Sequence, residues 1–481
     1  MRNKSLKLNA LLNSFQSLLN LVFPLITFPY VSRTLSVDGV GKYNFANSIV
    51  SYFLLIAALG INSYAIREGS KLRDDHEQIS KFASRVFTIN LGSTIFSYLL
   101  LFITLLIFPG LHIYTTAILV FSIQIIFTTL GTDWIYTIFE EYGYITARNI
   151  AFKIISIALL FIFVRNSDDY LNYVAITVFA STGSYVLNFI HARKFCDIKL
   201  DFHFNWKPYL TPMLILFASG AIIKIYVSSD TVILGLLKGD YSVGIYSVST
   251  KVYGIVGSLL MAMMSVTIPR LSMLIGQKRM AEYNKLFKQL VNVMLIIILP
   301  GVVGLMMTSR DIVVILSGEK YLRAASSLAI LAIAILGSSL STLFTTCALY
   351  PLRREKKTLI SSAVSAFVNV GLNFALIPFF SENAAAFTTA LSEIIVMLMN
   401  FYYSRDVTGF VFKDKGLWHN VITVILGCGG IVVVCVFVNV VFSGSLLLRL
   451  IISVSASAII YIVILLISRN TFALNYFNEL F

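Results

Sequence analysis

The chain alternates long apolar runs with short polar gaps, and the length of the runs decides how they fold. Each is close to the roughly 20 residues an α-helix needs to cross a bilayer, and one pass along the chain finds about fourteen of them. They predict helices over 8–31, 43–66, 86–108, 112–135, 144–164 and 170–191, then over 209–229, 241–268, 289–308, 324–349, 358–380 and 383–403. A terminal pair follows over 418–442 and 445–468. The expected fold is all-α and integral to a membrane, since helices satisfy every backbone group inside lipid.

A short motif recurs between the two sets of six. Tyr30-Val31-Ser32-Arg33 and Val40-Gly41-Lys42-Tyr43 are echoed by Tyr226-Val227-Ser228-Ser229 and Val243-Gly244-Ile245-Tyr246. At that spacing Arg67 pairs with Arg270, and further on Asn188-Phe189 with Arg193 matches Asn400-Phe401 with Arg405. The chain therefore divides into two pseudo-symmetric six-helix lobes, 1–207 and 208–405, and a helix pair within 406–481. Gly39 and Gly41 read as a turn that other residues would resist. The gaps Gly69–Phe82 and Gly276–Gln289, with apolar residues at helical spacing, read as interfacial helices. Two repeats of the same orientation place a substrate site between halves that rock about it.

Polar residues at three- and four-residue spacing put a stripe on one face of several spans. Asn13, Gln16 and Asn20 lie on the first, Asn149 on the fifth, and Asn369 and Asn373 on the eleventh. Small polar residues also hold helices together in lipid, but asparagine stripes on several helices suit the wall of a water-filled cavity. Ionisable residues are sharper evidence, because a charge at mid-bilayer costs at least about 2.5–3.5 kcal/mol. Lys153, Lys224, Lys251 and Glu393 all fall deep within spans, and three lysines against one glutamate favour an anion. Arg33 ends the striped first helix. Asp38, Asp133, Arg148, Asp230 and Arg449 sit nearer span ends, where snorkelling is cheap.

Composition agrees with a membrane class: 58% of residues are hydrophobic and only 12% charged. The net charge of +14 does not mark a nucleic-acid binder, because about 26 of the 37 Lys and Arg fall in alternate gaps. That bias predicts a multi-pass protein with both termini cytoplasmic. The first run exceeds a signal-peptide core, so it reads as a retained helix. The four cysteines, Cys196, Cys347, Cys428 and Cys435, lack metal-type spacing and read as packing residues. With scattered histidines, no phosphate loop and no nucleophile elbow, neither an enzyme nor a metal or organic cofactor is expected.

The stretch Pro29–Tyr43 carries a family likeness together with Thr132-Asp133-Trp134, Glu140-Glu141-Tyr142, Ala147-Arg148-Asn149, Ser229-Asp230-Thr231, Val243–Tyr246 and Pro269-Arg270-Leu271-Ser272. In this order they resemble the polysaccharide-repeat-unit (Wzx-type) flippases of the multidrug/oligosaccharidyl-lipid/polysaccharide exporter superfamily. The resemblance covers most of the first nine spans. It implies transfer of an undecaprenyl-diphosphate-linked oligosaccharide from the inner to the outer leaflet of a bacterial cytoplasmic membrane, for capsular or cell-surface polysaccharide. It also implies polymerase and glycosyltransferase partners. Arg33, Lys224 and Lys251 then become diphosphate candidates, with Lys153 added from spacing. Drive by a proton or sodium gradient would need a carboxylate, for which Glu393 and then Asp230 are candidates. A lipid II flippase and a multidrug or cation antiporter of the same superfamily are the nearest alternatives. From another class, an integral-membrane glycosyltransferase or polymerase would need a large outer loop, and the outer gaps are short.

Overall fold

The computed structural model describes residues 22–472 and 474, apart from 266, 443 and the side chains of 262, 263 and 265. The described residues are helices joined by short turns, without a strand, so the all-α membrane class is correct. Eleven helical stretches among them are long and apolar enough to cross a membrane. Large apolar side chains face outward along them, such as Leu106, Phe367 and Val440. Two stretches are about double length because a helix break lies inside: Lys207–Met261 breaks at Gly239 (φ 77°) and Glu355–Lys413 at Ser381 (φ 50°). Most of the first expected span lies outside the described residues; what is described of it is a helix over 22–34, here α1.

The chain divides into two compact units, 1–235 with 239–244, and 236–238 with 245–481. The boundary expected at 207/208 falls inside the first unit, and the terminal pair belongs to the second. The first unit holds α1, α2 (Val37–Ala58), α3 (Ile61–Gly69), α4 (His76–Ile107), α5 (Thr115–Gly131), α6 (Asp133–Ile138), α7 (Tyr142–Phe163), α8 (Tyr170–Thr182) and α9 (Tyr185–Ala192). It also holds the first part of α10 (Lys207–Ser265). The second unit holds the rest of α10, α11 (Ile268–Gly276), α12 (Met280–Ser317), α13 (Ala324–Phe344), α14 (Glu355–Thr408), α15 (Lys415–Val441) and α16 (Leu446–Ile467).

The motif Gly39–Tyr43 is not a turn. Ser36 caps α2 by accepting the Gly39 N–H at 3.0 Å, so the helix begins at Val37 and both glycines lie in its first turns. Their use is close approach. A Cβ on Gly41 would stand 1.9 Å from the carbonyl oxygen of Asp240, and one on Gly244 would stand 2.2 Å from that of Val37. Each glycine thus lets a helix start press on the backbone four residues before the other, all within the first unit.

The two gaps read as interfacial helices are also corrected. Gly69–Phe82 is a turn followed by the start of α4, which Asp75 caps through Glu77 N–H and Gln78 N–H, both at 3.0 Å. Gly276–Gln289 is likewise a turn leading into α12. The short helices precede these gaps instead: α3 and α11 are nine residues each. The repeat is visible in side chains too. Tyr43 donates to Thr177 Oγ1 at 3.3 Å in one unit, and Tyr246 and Thr389 share a 3.3 Å bond in the other.

In the second unit the terminal pair packs along α12. Asn420 donates to Asn292 at 2.8 Å, Tyr461 to the Ile296 carbonyl at 2.7 Å, and Arg449 Nε to Asp311 Oδ2 at 2.8 Å. Arg449 is therefore paired rather than snorkelling. Gly427 and Gly430 of α15 would strike Tyr461 and Ile464 if they bore a Cβ, which is how small residues bring membrane helices together. All four cysteines are buried and free, as packing residues should be.

Candidate functional site

In the first unit, Lys153 on α7 turns toward α1: its Nζ is 5.6 Å from the centre of the Phe23 ring. The same two helices are joined by Tyr30, which donates to the Val164 carbonyl at 2.7 Å and packs edge-on against Phe161. Lys153 thus faces the described part of the first span. Arg33 is exposed near the end of α1, and Lys224 on α10 is half-buried. Asp230, six residues beyond Lys224, is 4% exposed. It belongs to the interior of the unit rather than to a span end. Asn13, Gln16 and Asn20 lie outside the described residues.

In the second unit, Lys251 is partly buried on α10. Two residues on, Tyr253 donates to Glu393 Oε1 of α14 at 3.4 Å. Glu393 sits where α14 crosses α13 at Gly337, whose Cβ would lie 2.9 Å from the Glu393 backbone. Asn369 and Asn373 have no exposed surface. Asn373 donates to Asn369 at 3.0 Å and accepts from Thr388 at 2.6 Å, tying together the two halves of α14 on either side of Ser381. In this conformation they join helices and do not line an open cavity.

One charged centre emerges that the span-end reading had passed over. The fourth span breaks at Thr132, a left-handed residue with φ 43°, and Asp133 opens α6. Asn188 Nδ2 donates to Asp133 Oδ1 at 2.7 Å, and Arg148 Nη2 lies 3.6 Å from the same oxygen. The Arg148 side chain is only 5% exposed, its guanidinium carbon 5.9 Å from the Tyr144 ring centre and 5.8 Å from that of Tyr185. Arg148 Nη2 also donates to Asn149 Oδ1 at 3.1 Å, so the fifth-span asparagine joins this cluster. Thr132 Oγ1, Asn188 Oδ1, Arg148 Nε and Arg148 Nη1 are buried with no hydrogen-bond partner among the described residues.

The repeat contains the signal that could have found it. At the spacing that matches Asn188 to Asn400, Asp133 matches Thr345. Asn400 donates to Thr345 Oγ1 at 2.9 Å and to Ser341 Oγ at 3.1 Å, and the helix there widens into a π-turn over Thr345–Leu349. Both units distort the same helix at the same place, but only the first puts an ion pair there. Among the described residues no cluster of His, Cys, Asp and Glu could hold a metal.

Comparison with known proteins agrees with this architecture. The chain matches the family described as "Polysaccharide biosynthesis protein" over residues 6–275 and the MatE family over 216–379. A protein of Escherichia coli (strain K12) named as an O-antigen transporter is 22% identical over 396 residues, 80% of this chain and 94% of that one. The capsular polysaccharide biosynthesis protein CapF of Staphylococcus aureus is 22% identical over 385 residues, 77% and 92% of the two chains. The fold is shared with the lipid II flippase MurJ in an inward closed conformation, with TM-score 0.73, 15% identity, and 95% and 98% of the chains covered. It is shared with an inward-facing multidrug resistance MATE family transporter at TM-score 0.61 and 12% identity, covering 82% and 99%. A polytopic helical fold of the MurJ and MATE kind and a family match spanning more than half the residues lead to one assignment: this chain belongs to the polysaccharide biosynthesis protein family of membrane transporters.

Proposed function

We propose that the chain is a flippase that moves an oligosaccharide repeat unit, linked to undecaprenyl diphosphate, from the inner to the outer leaflet of a bacterial cytoplasmic membrane. The observation that carries this reading is the family match over residues 6–275 on a fold shared along nearly its whole length with a lipid flippase. The names of the relatives, O-antigen transporter and capsular polysaccharide biosynthesis protein, supply the cargo class. Alternating access of the two repeats is the mode their common orientation implies.

Within this reading Lys153 and Lys224 in the first unit, Lys251 in the second and Arg33 at the end of α1 are the groups for the diphosphate. The argument is that intramembrane cations are costly and are retained for a task. Glu393, bonded to Tyr253, and the buried Asp230 are the carboxylates on which a proton or sodium gradient would act. Both termini would be cytoplasmic, with glycosyltransferases and a polymerase acting before and after transfer.

The test is reconstitution in vesicles with the lipid-linked oligosaccharide, following its exposure to an impermeant sugar-cleaving enzyme. The wild type should expose the inner pool. Lys251→Ala should slow this by about tenfold or more, in line with the loss of one charge-assisted contact, at unchanged abundance. Normal flipping by the variant would remove Lys251 from the diphosphate role. Transfer of lipid II but not of the repeat unit would move the chain to the peptidoglycan precursor.

A further inference from the structure

We propose that a groove in the second unit binds the headgroup of an anionic phospholipid, a resident lipid distinct from the transported cargo. The groove has a volume of about 640 Å3 and lies among the start of α12, the start of α15 and Thr471-Phe472, reaching Leu260 of α10. This is the size range of small-molecule sites.

Its lining is graded in the way an amphiphile requires. Lys285 and Lys288 stand in the first turns of α12, at the mouth. Nine residues beyond Lys288, about 14 Å deeper along the helix, the wall is Ile297 and Ile298. Between the two levels runs a polar band whose groups already satisfy one another. Asn420 donates to Asn292 at 2.8 Å and accepts from Thr471 Oγ1 at 3.0 Å. That band is a preformed wall. A ligand gains little by bonding to it and much by meeting the cations above and the apolar side chains below.

Charge selects the occupant. Lys288 is held at the mouth by Asp414 at 2.6 Å, and Lys285 is exposed beside it. Along the chain, Lys278 and Arg279 just before α12 and Lys413 and Lys415 about the start of α15 add positive charge, against Glu282 and Asp414. Glu282 is taken by Arg279 at 2.6 Å. Basic pockets between transmembrane helices at a membrane surface bind anionic headgroups, each lysine near the surface contributing about 1 kcal/mol. A zwitterionic headgroup forfeits that attraction, and free phosphate forfeits the apolar half of the groove.

The experiment is native mass spectrometry of the full chain, purified in detergent and incubated with phosphatidylglycerol or phosphatidylcholine. Phosphatidylglycerol should be retained several-fold over phosphatidylcholine. The double variant Lys285→Gln/Lys288→Gln should abolish that preference. Lys285→Arg/Lys288→Arg should keep it, which separates charge from folding, and Lys199→Gln/Lys207→Gln in the first unit should leave it unchanged. Equal retention of the two lipids, or a preference that survives removal of both charges, would overturn the proposal. So would full competition by millimolar inorganic phosphate, which would mark a simple anion site. Deletion of residues 473–481 that raises retention strongly would identify the chain's own tail as the occupant and overturn it as well. None of these readouts involves flipping, so failure here leaves the transport reading untouched.

Discussion

Asp414 shows how one residue can serve two elements. Its carboxylate caps α15 by accepting the Leu417 N–H at 3.0 Å and pairs with Lys288 of α12 at 2.6 Å. The bond from Lys288 holds the Asp414 carboxyl below the usual carboxylate range. A depressed folded value means that the pair contributes above the unfolded pKa of about 3.9 and that the contribution is lost as pH falls through the folded value. Asp414→Asn keeps a good cap and removes the charge. Thermal unfolding in detergent should therefore show a small deficit, under about 1 kcal/mol for so exposed a pair, that is constant from pH 8 to about 5 and vanishes as pH drops below about 4. A deficit that persists at low pH would assign the effect to the cap. Asp133 differs in its partners: Asn188 donates to it and the buried Arg148 lies 3.6 Å away, and at its matching position the second unit has Thr345, which takes the same bond from Asn400 without a charge.

Among the elements, the first turns of α2 and the segment 239–244 meet with no room for a side chain. Replacing Gly41 by Ala would drive a Cβ to 1.9 Å from a backbone oxygen, and Gly244→Ala to 2.2 Å from another. Backbone cannot yield as a flexible side chain can, so each change should cost about 1–3 kcal/mol, the scale of overpacking. Gly254, on the same long helix, has nothing within 4 Å of its would-be Cβ. Gly254→Ala should be neutral or stabilising by up to about 1 kcal/mol through helix propensity. Melting temperatures of the three variants check the contrast, and equal behaviour would refute the close-approach role. The terminal pair is held by a different means: polar bonds from Asn420, Tyr461 and Arg449 are spread along the length of α12. In lipid, where burying apolar surface gains nothing, such bonds and small-residue contacts supply the association.

For the whole molecule, the alternation of basic and neutral gaps makes a prediction about orientation. Asp74 lies in a basic gap before α4, its side chain 91% exposed, and Asn166 is exposed between α7 and α8. The four native cysteines are buried and should react little with thiol reagents. In intact cells, Asn166→Cys should react with an impermeant maleimide, and Asp74→Cys should react only after permeabilisation. The reverse pattern would invert the topology.

Much of the fold is legible in the chain because a bilayer imposes a length and a hydropathy on every span, and both are local properties of sequence. The sequence alone therefore determined the helical class, most span positions, the internal repeat and the family. Local sequence could not decide what glycines and polar residues do, since that depends on what lies across from them. Gly39 and Gly41 read as a turn until Asp240 stands opposite Gly41. Asn369 and Asn373 read as cavity wall until Thr388 closes over Asn373. Asp133 and Arg148 read as separate span-end charges until the break at Thr132 and the bond from Asn188 bring them together. Side chains far apart in sequence meet only through packing, and packing is what the tertiary structure decides.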